Sequence, residues 1–202
     1  MSHYKLTYFN ITGLGEPIRF ILHYGGIKFE DVRISFEEWP KIKSTMPLGT
    51  MPILEIDGKR YYQSRAIMRF LAKKFKLYGS DDVEAMEIDA AAYSIDDLVN
   101  PLSAYFWEEE PNQKKRLKEI AMQKKEFFLD KFEKHVKNNG GYFVNGKLSF
   151  ADLWYAASTD YMSRGLGYDV NKDHPELSKL VEKIRNIPSI KVYLEKRPLA
   201  KL

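Results

Sequence analysis

"MPILEIDGKRYYQS", residues 51 to 64, has the form of a β-hairpin, two short strand-like runs turned by Asp57-Gly58, a strong two-residue turn signal. Both ends are unusual. Pro52 opens the first strand and cannot donate to a ladder, so it belongs at an edge, a bulge or a first position. Two forms of the Met51-Pro52 bond are open: an ordinary trans bond at a strand edge, or a cis bond. A cis bond would turn the Met51 amide and carbonyl away from the sheet, free to pair with the backbone of a bound peptide. At the other end Ser64 stands at a helix start, where a hydroxyl either caps orphan amides or helps to hold a carboxylate. Taken together, the two ends suit a single ligand that offers both peptide groups and a carboxylate.

Working outward, "HYKLTYF" (3–9) is β-prone and "GEPIRFILHYGG" (15–26) reads as a helix, with Pro17 near its first turn and the glycine pair as its stop. "FEDVRI" (29–34) is a second strand, so the order is a βαβ unit with parallel pairing and a right-handed crossover. After an irregular stretch around "EEWPKIKSTMPLG" and the hairpin, "SRAIMRFLAKKFKLYG" (64–79) reads as a helix. Ile67, Phe70, Leu71 and Phe75 are expected on one face and Gly79 at its stop. Beyond Gly79 the period is helical over 84–108, 113–138, 150–164, 175–186 and 189–196. These patterns divide the chain into an α/β unit at 1–78, a linker at 79–83 and an all-helical unit at 84–202. In "LSFADL", Ser149 and Asp152 form a capping box and Leu148 with Leu153 its hydrophobic staple. That pair reads as structural.

The 202 residues include no cysteine, which excludes a disulfide framework, a zinc-thiolate site and a cysteine nucleophile. Thiol chemistry would have to arrive with a substrate. No apolar run approaches the roughly 18 residues that span a bilayer, and "MSHYKLTYF" lacks a signal-peptide pattern. A cytoplasmic address is expected, with no membrane partner. The net charge of +4 is too small to suggest nucleic acid, but residues 1–78 hold 13 Lys/Arg against 7 Asp/Glu, a balance suited to a small anionic ligand. The four histidines, at 3, 23, 135 and 174, show no ligand spacing, and no metal site is expected. "GLGEPI" (13–18) nearly matches a dinucleotide fingerprint, but its third glycine is Ile18 and Pro17 removes a helix-end amide. "EEE" at 108–110 reads as a solvated helix end.

The stretches "YKLTYFN", "WPKIKSTMPLGTMPILEIDG", "QSRAI", "SFADLWY" and "KRPLAKL" together resemble the sigma-class cytosolic glutathione transferases, relatives of the S-crystallins and of haematopoietic prostaglandin D synthase. The resemblance spans essentially the whole chain. It implies a thioredoxin-like N-terminal domain, which binds glutathione, followed by a helical C-terminal domain. By the same resemblance, Tyr8 is the catalytic tyrosine, Met51 holds the cysteinyl part of glutathione by its backbone, and Pro52 is the family's cis-proline. Trp39 and Lys43 reach the glycyl carboxylate, Gln63 and Ser64 take the γ-glutamyl carboxylate, and Asp97 of a second subunit pairs with the amino group. A homodimer with composite sites follows from that last role. Glutathione is the co-substrate, with no tightly bound cofactor. An electrophile site is expected between the domains, near Ile11, Leu14, Tyr105, Phe106 and Leu202.

Position also favours Tyr8, which ends the first strand of the α/β unit, where ligands of open parallel sheets bind. In two places the chain departs from the prostaglandin enzymes. Leu14 stands where those carry an arginine, and Tyr93 replaces an acidic residue that joins the equivalents of Asp96 and Asp97 near a divalent cation. The expected function is therefore general: conjugation of the glutathione thiolate to hydrophobic electrophiles, with peroxidase activity on lipid hydroperoxides as an extension. The alternatives are a glutathione-dependent prostaglandin D synthase and, in another class, an S-crystallin-like structural or storage protein.

Overall fold

In the computed structural model, which describes residues 2–198, β1 (Tyr4–Phe9) and β2 (Phe29–Ile34) pair in parallel, joined by α1 (Glu16–Tyr24). β3 (Ile53–Ile56) and β4 (Lys59–Tyr62) form the hairpin, and β3 pairs antiparallel with β1, giving the sheet order β2-β1-β3-β4. Asp57 and Gly58 both take positive φ, at 50° and 83°, the requirement of the tight turn that matches strand twist. Between β2 and β3 the chain makes a short helix, α2 (Trp39–Ile42), and two single turns of 3-10 helix.

α3 (Ser64–Lys74) closes the first half. Its buried stripe is Ser64, Ile67, Met68, Leu71 and Ala72, the i, i+3, i+4, i+7, i+8 spacing of one helix face. Phe70 lies off that stripe and is 49% exposed, contrary to the face expected from apolarity alone. The helix also ends at Lys74, well before Gly79, because Lys76 and Gly79 already carry the left-handed backbone of the exit turn.

The second half holds α4 (Asp82–Trp107), α5 (Pro111–Asn138), α6 (Phe150–Leu166), α7 (Pro175–Arg185) and α8 (Pro188–Lys196). α4 starts two residues earlier than its apolar period suggests, because the Asp81 carboxylate accepts the N–H groups of Val83 and Glu84 at 2.9 Å. Glu110 likewise accepts from Asn112 and Gln113, so the last glutamate of the acidic run is the cap of α5 and not simply solvated. α6 is the axis of the core. Trp154 and Tyr155 on it are 1% and 0% exposed, and α4, α7 and α1 all pack against it. The α1–α6 contact joins the two halves.

Asp152, fully buried near the start of α6, accepts hydrogen bonds from the N–H and Oγ of Ser149 and from the N–H of Phe143. A second buried polar cluster sits at the start of α1. Arg19, 0% exposed, donates from Nε to Asp31 and from Nη1 to Glu16 and to the carbonyl of Ile11. Glu16 also accepts from Tyr193 and Arg197. This cluster pins the loop after β1 between α1 and α8. Among the described residues no helix is long and apolar enough to cross a membrane.

Candidate active site

The strand register aligns the two ends of the hairpin with the end of β1. The β1–β3 ladder runs from Tyr4–Ile56 to Thr7–Ile53, and the β3–β4 ladder ends at Ile53–Tyr62. One further step along each register sets Tyr8 beside Pro52 and Pro52 beside Gln63. Neighbouring strands are about 4.8 Å apart, so these three positions span about 10 Å. That is the length of an extended tripeptide, at roughly 3.5 Å per residue.

The Met51-Pro52 bond is cis, which decides between the two forms left open by the sequence, and Met51 lies outside the ladder. Gln63 has φ 69° and ψ 103°, a region that costs a residue other than glycine on the order of 1–3 kcal/mol and is typical of ligand-holding turns. Gln63 is itself the N-cap residue of α3, without a side-chain cap bond, and Ser64 is the first helical residue. The Ser64 hydroxyl therefore does not cap the helix. It is 4% exposed and accepts a hydrogen bond from Arg65 at 2.7 Å. Arg65 in turn pairs with Asp96 of α4 and lies over the Trp154 ring, 4.7 Å from its centroid. Asp97, the next residue of α4, is exposed.

Trp39 is half-buried and meets Phe9 edge-on at 5.3 Å, so it stands next to the end of β1. Lys43 is exposed at the start of the 3-10 turn and makes no salt bridge with the described residues.

Tyr8 is 6% exposed, and its hydroxyl oxygen accepts the Leu14 N–H at 3.0 Å. Burial raises the phenol's pKa above its ordinary value, and the Leu14 amide pulls against that without reversing it. The group is thus a neutral O–H at physiological pH, with its proton available. The turn at 13–15 makes this possible. A Cβ on Gly13 would fall 2.7 Å from the Tyr8 hydroxyl, and one on Gly15 would fall 2.5 Å from Cδ1 of its ring. The glycines that mimic a dinucleotide motif are the cradle of a phenol.

Beyond Tyr8 a cavity of about 270 Å³ opens between the sheet end and helices α4 and α6. Ile11 and Leu14 line it as expected from the sequence, but Tyr105 and Phe106 do not. α4 turns Val99, Ser103 and Trp107 toward the cavity, four residues apart along one face. Tyr105 lies on the far side of that face, and Phe106 is rotated off it against Tyr161 and the α6 backbone at Gly165. Leu202 lies outside the described residues. Sequence reasoning missed Phe36, Trp107, Trp154, Ser158 and Tyr161, all of which line the cavity. The i, i+4, i+7 spacing of Trp154, Ser158 and Tyr161 was the available signal.

A cis-proline loop, a strained Gln-Ser turn and a protonated phenol stand along one sheet end, beside a mostly apolar cavity. Such a site suits an enzyme that holds a thiol-bearing peptide against an apolar reaction partner. Comparison with known proteins identifies the family. The family models described as glutathione S-transferase N-terminal domain and C-terminal domain match residues 4–73 and 96–197. Glutathione S-transferase S1 of Drosophila melanogaster is 39% identical over 98% of this chain and 80% of its own length. Human hematopoietic prostaglandin D synthase is 34% identical over the full length of both chains. The solved structure titled prostaglandin synthase D of Nilaparvata lugens is 43% identical, with a TM-score of 0.93 over 98% of this chain and 99% of that one. The chain belongs to the glutathione S-transferase family, and its activity is that of a glutathione S-transferase. Its architecture is the family's thioredoxin-like domain followed by a helical one.

Proposed function

We propose that the chain is a sigma-class, cytoplasmic, homodimeric transferase that ionises glutathione at Tyr8 and adds its sulphur to hydrophobic electrophiles. The observation that carries this reading is the Tyr8 hydroxyl, which accepts from Leu14 and keeps its own proton for the sulphur. A thiol with pKa about 8.5 is only ~3% ionised at pH 7, and lowering it by ~2 units takes about 2.7 kcal/mol of preferential anion stabilisation. A charge-assisted hydrogen bond in a desolvated site supplies much of that. Tyr8 acts as a donor to the thiolate and not as a general base.

Met51 pairs with the cysteinyl backbone at the cis-Pro52 loop, Trp39 and Lys43 take the glycyl carboxylate, and Gln63 with Ser64 takes the γ-glutamyl carboxylate. Asp97 of the second subunit receives the amino group. Lipid hydroperoxides fall within the same chemistry as oxygen electrophiles. The direct test is conjugation of glutathione to chlorodinitrobenzene, monitored by absorbance; no turnover would refute the reading.

Two substitutions test separate parts of it. Ser64→Ala removes a carboxylate donor distant from the sulphur, so KM for glutathione should rise about tenfold, corresponding to 1–2 kcal/mol, with kcat nearly constant. Gly15→Ala pushes a methyl into the Tyr8 ring. A displacement of that kind should lower kcat on the order of 10²-fold while circular dichroism reports a folded protein.

The structure titled prostaglandin synthase D, at 43% identity, supports a second reading, prostaglandin isomerisation. Leu14 weighs against it, since the resemblance places an arginine there in the prostaglandin enzymes. Incubation with prostaglandin H and glutathione separates the two readings, a dominant D-type product favouring the second.

A further inference from the structure

α8 packs on α1, and between α8, the end of α1 and the start of β2 lies an open groove of about 780 Å³. It shares no lining residue with the cavity beside Tyr8. Its volume falls in the range of small-molecule sites, roughly 300–1,000 Å³, and the thiolate chemistry makes no use of it.

The wall of the groove is apolar and already ordered. The His23 ring stacks on Tyr193 with centroids 4.3 Å apart and meets Phe29 edge-on at 5.2 Å, so three rings form one surface. Burial lowers the His23 pKa, which leaves its imidazole neutral at pH 7 and part of that surface. Ile27 and Pro188 extend it, and Val192 of α8 is 48% exposed there. A concave apolar surface left uncovered in this way marks a binding groove.

The rim is cationic once the internal pairs are removed. Among the described residues Asp31 is the one acid lining the groove, and it already accepts from Arg19 and Arg33. Arg197 is held by Glu16 and Asp160. Lys28, just before β2, and Lys196, the last residue of α8, line the groove, are exposed, and make no salt bridge with the described residues. Glu30 and Glu195, close to them in sequence, do not line it. Each wall thus presents one free ammonium group above apolar surface.

We propose that this groove is a second ligand site, which takes an aliphatic carboxylate of fatty-acid type with its chain along the ring wall and its head at the Lys28 and Lys196 rim. The head gains charge-assisted hydrogen bonds from the ammonium groups, and the chain covers Ile27, Phe29 and Val192. Binding here is independent of Tyr8, so failure of this proposal would leave the transferase reading untouched.

The experiment is calorimetric titration with decanoate, below its micelle-forming concentration, and with 1-decanol, which has the same chain and no charge. The unaltered protein should bind decanoate saturably and decanol about tenfold more weakly. Lys28→Gln combined with Lys196→Gln should weaken decanoate about tenfold, the scale of two exposed charge pairs, and leave decanol within about twofold. Val192→Glu sets a carboxylate in the apolar wall and should weaken decanoate more than about tenfold, while turnover of chlorodinitrobenzene stays within about twofold. Saturable binding that survives Val192→Glu, equal affinity for decanol, or no binding at all would overturn the proposal. The last result is the one expected if a second copy of the chain, or its own residues beyond Pro198, fill the groove.

Discussion

Tyr8→Phe is expected to lower conjugation about 25-fold near pH 7, the fall in thiolate fraction when the thiol pKa moves from about 6.5 to about 8.5, while changing glutathione affinity by less than about threefold. In the proposed complex the phenol is one short contact among many to the tripeptide, and the others lie along the hairpin and at Gln63-Ser64. What the substitution removes is the O–H that favours the sulphur anion over the neutral thiol. Losing ~2.7 kcal/mol of that preference returns the bound thiol's pKa toward about 8.5. The pH dependence of kcat/KM should therefore shift upward by ~2 units, so that the variant recovers part of its rate in mild alkali. Tyr8 itself, raised above its ordinary pKa by burial, adds no second inflection near neutrality. Isothermal titration and a rate profile over pH 5.5–9 would check both halves. Unchanged turnover, or affinity lost in step with rate, would remove Tyr8 from its assigned role.

Asp152→Ala should give the largest stability effect away from the site. It leaves the N–H groups of Phe143 and Ser149 buried without an acceptor, at about 1–3 kcal/mol each, for a net loss of about 3 kcal/mol at pH 7. Its pH dependence has a definite sign. Burial pushes the Asp152 carboxyl from 3.8 up to about 6, against the pull of its amide donors. The folded protein thus holds this proton more tightly than the unfolded chain does. The resulting stabilisation is complete below about pH 4 and is lost as the pH rises through about 6. The gap between the unaltered protein and Asp152→Ala should consequently widen by about 1 kcal/mol from pH 7 to pH 5. Urea-unfolding midpoints at the two pH values, at fixed protein concentration, measure it. A gap that narrows in acid would show that the amide donors win and the carboxyl is held ionised.

The features legible in the sequence are those set by local chemistry. Asp57-Gly58 dictated the hairpin because two consecutive positive φ values suit that pair. Pro52 and Ser64 marked the two ends of the hairpin, now a cis bond and a helix start, because one cannot donate to a ladder and the other begins a helix. The walls of the cavity were less legible because they depend on helix rotation. Tyr105 and Phe106 are as apolar as Trp107, yet only the last faces the cavity. The azimuth of α4 is set by its packing on α5 and α6, which no single segment encodes. Phe70 misled in the same way. Arg19 went unread because its importance lies in three partners brought together from the loop after β1, from α1 and from β2.

Leu14 divides its labour between its two halves: the main chain serves the phenol, and the side chain forms part of the cavity surface. An amide N–H is common to every residue except proline. Selection at this codon can therefore reshape what the enzyme accepts without disarming the nucleophile, making it a natural locus for diversification among gene duplicates.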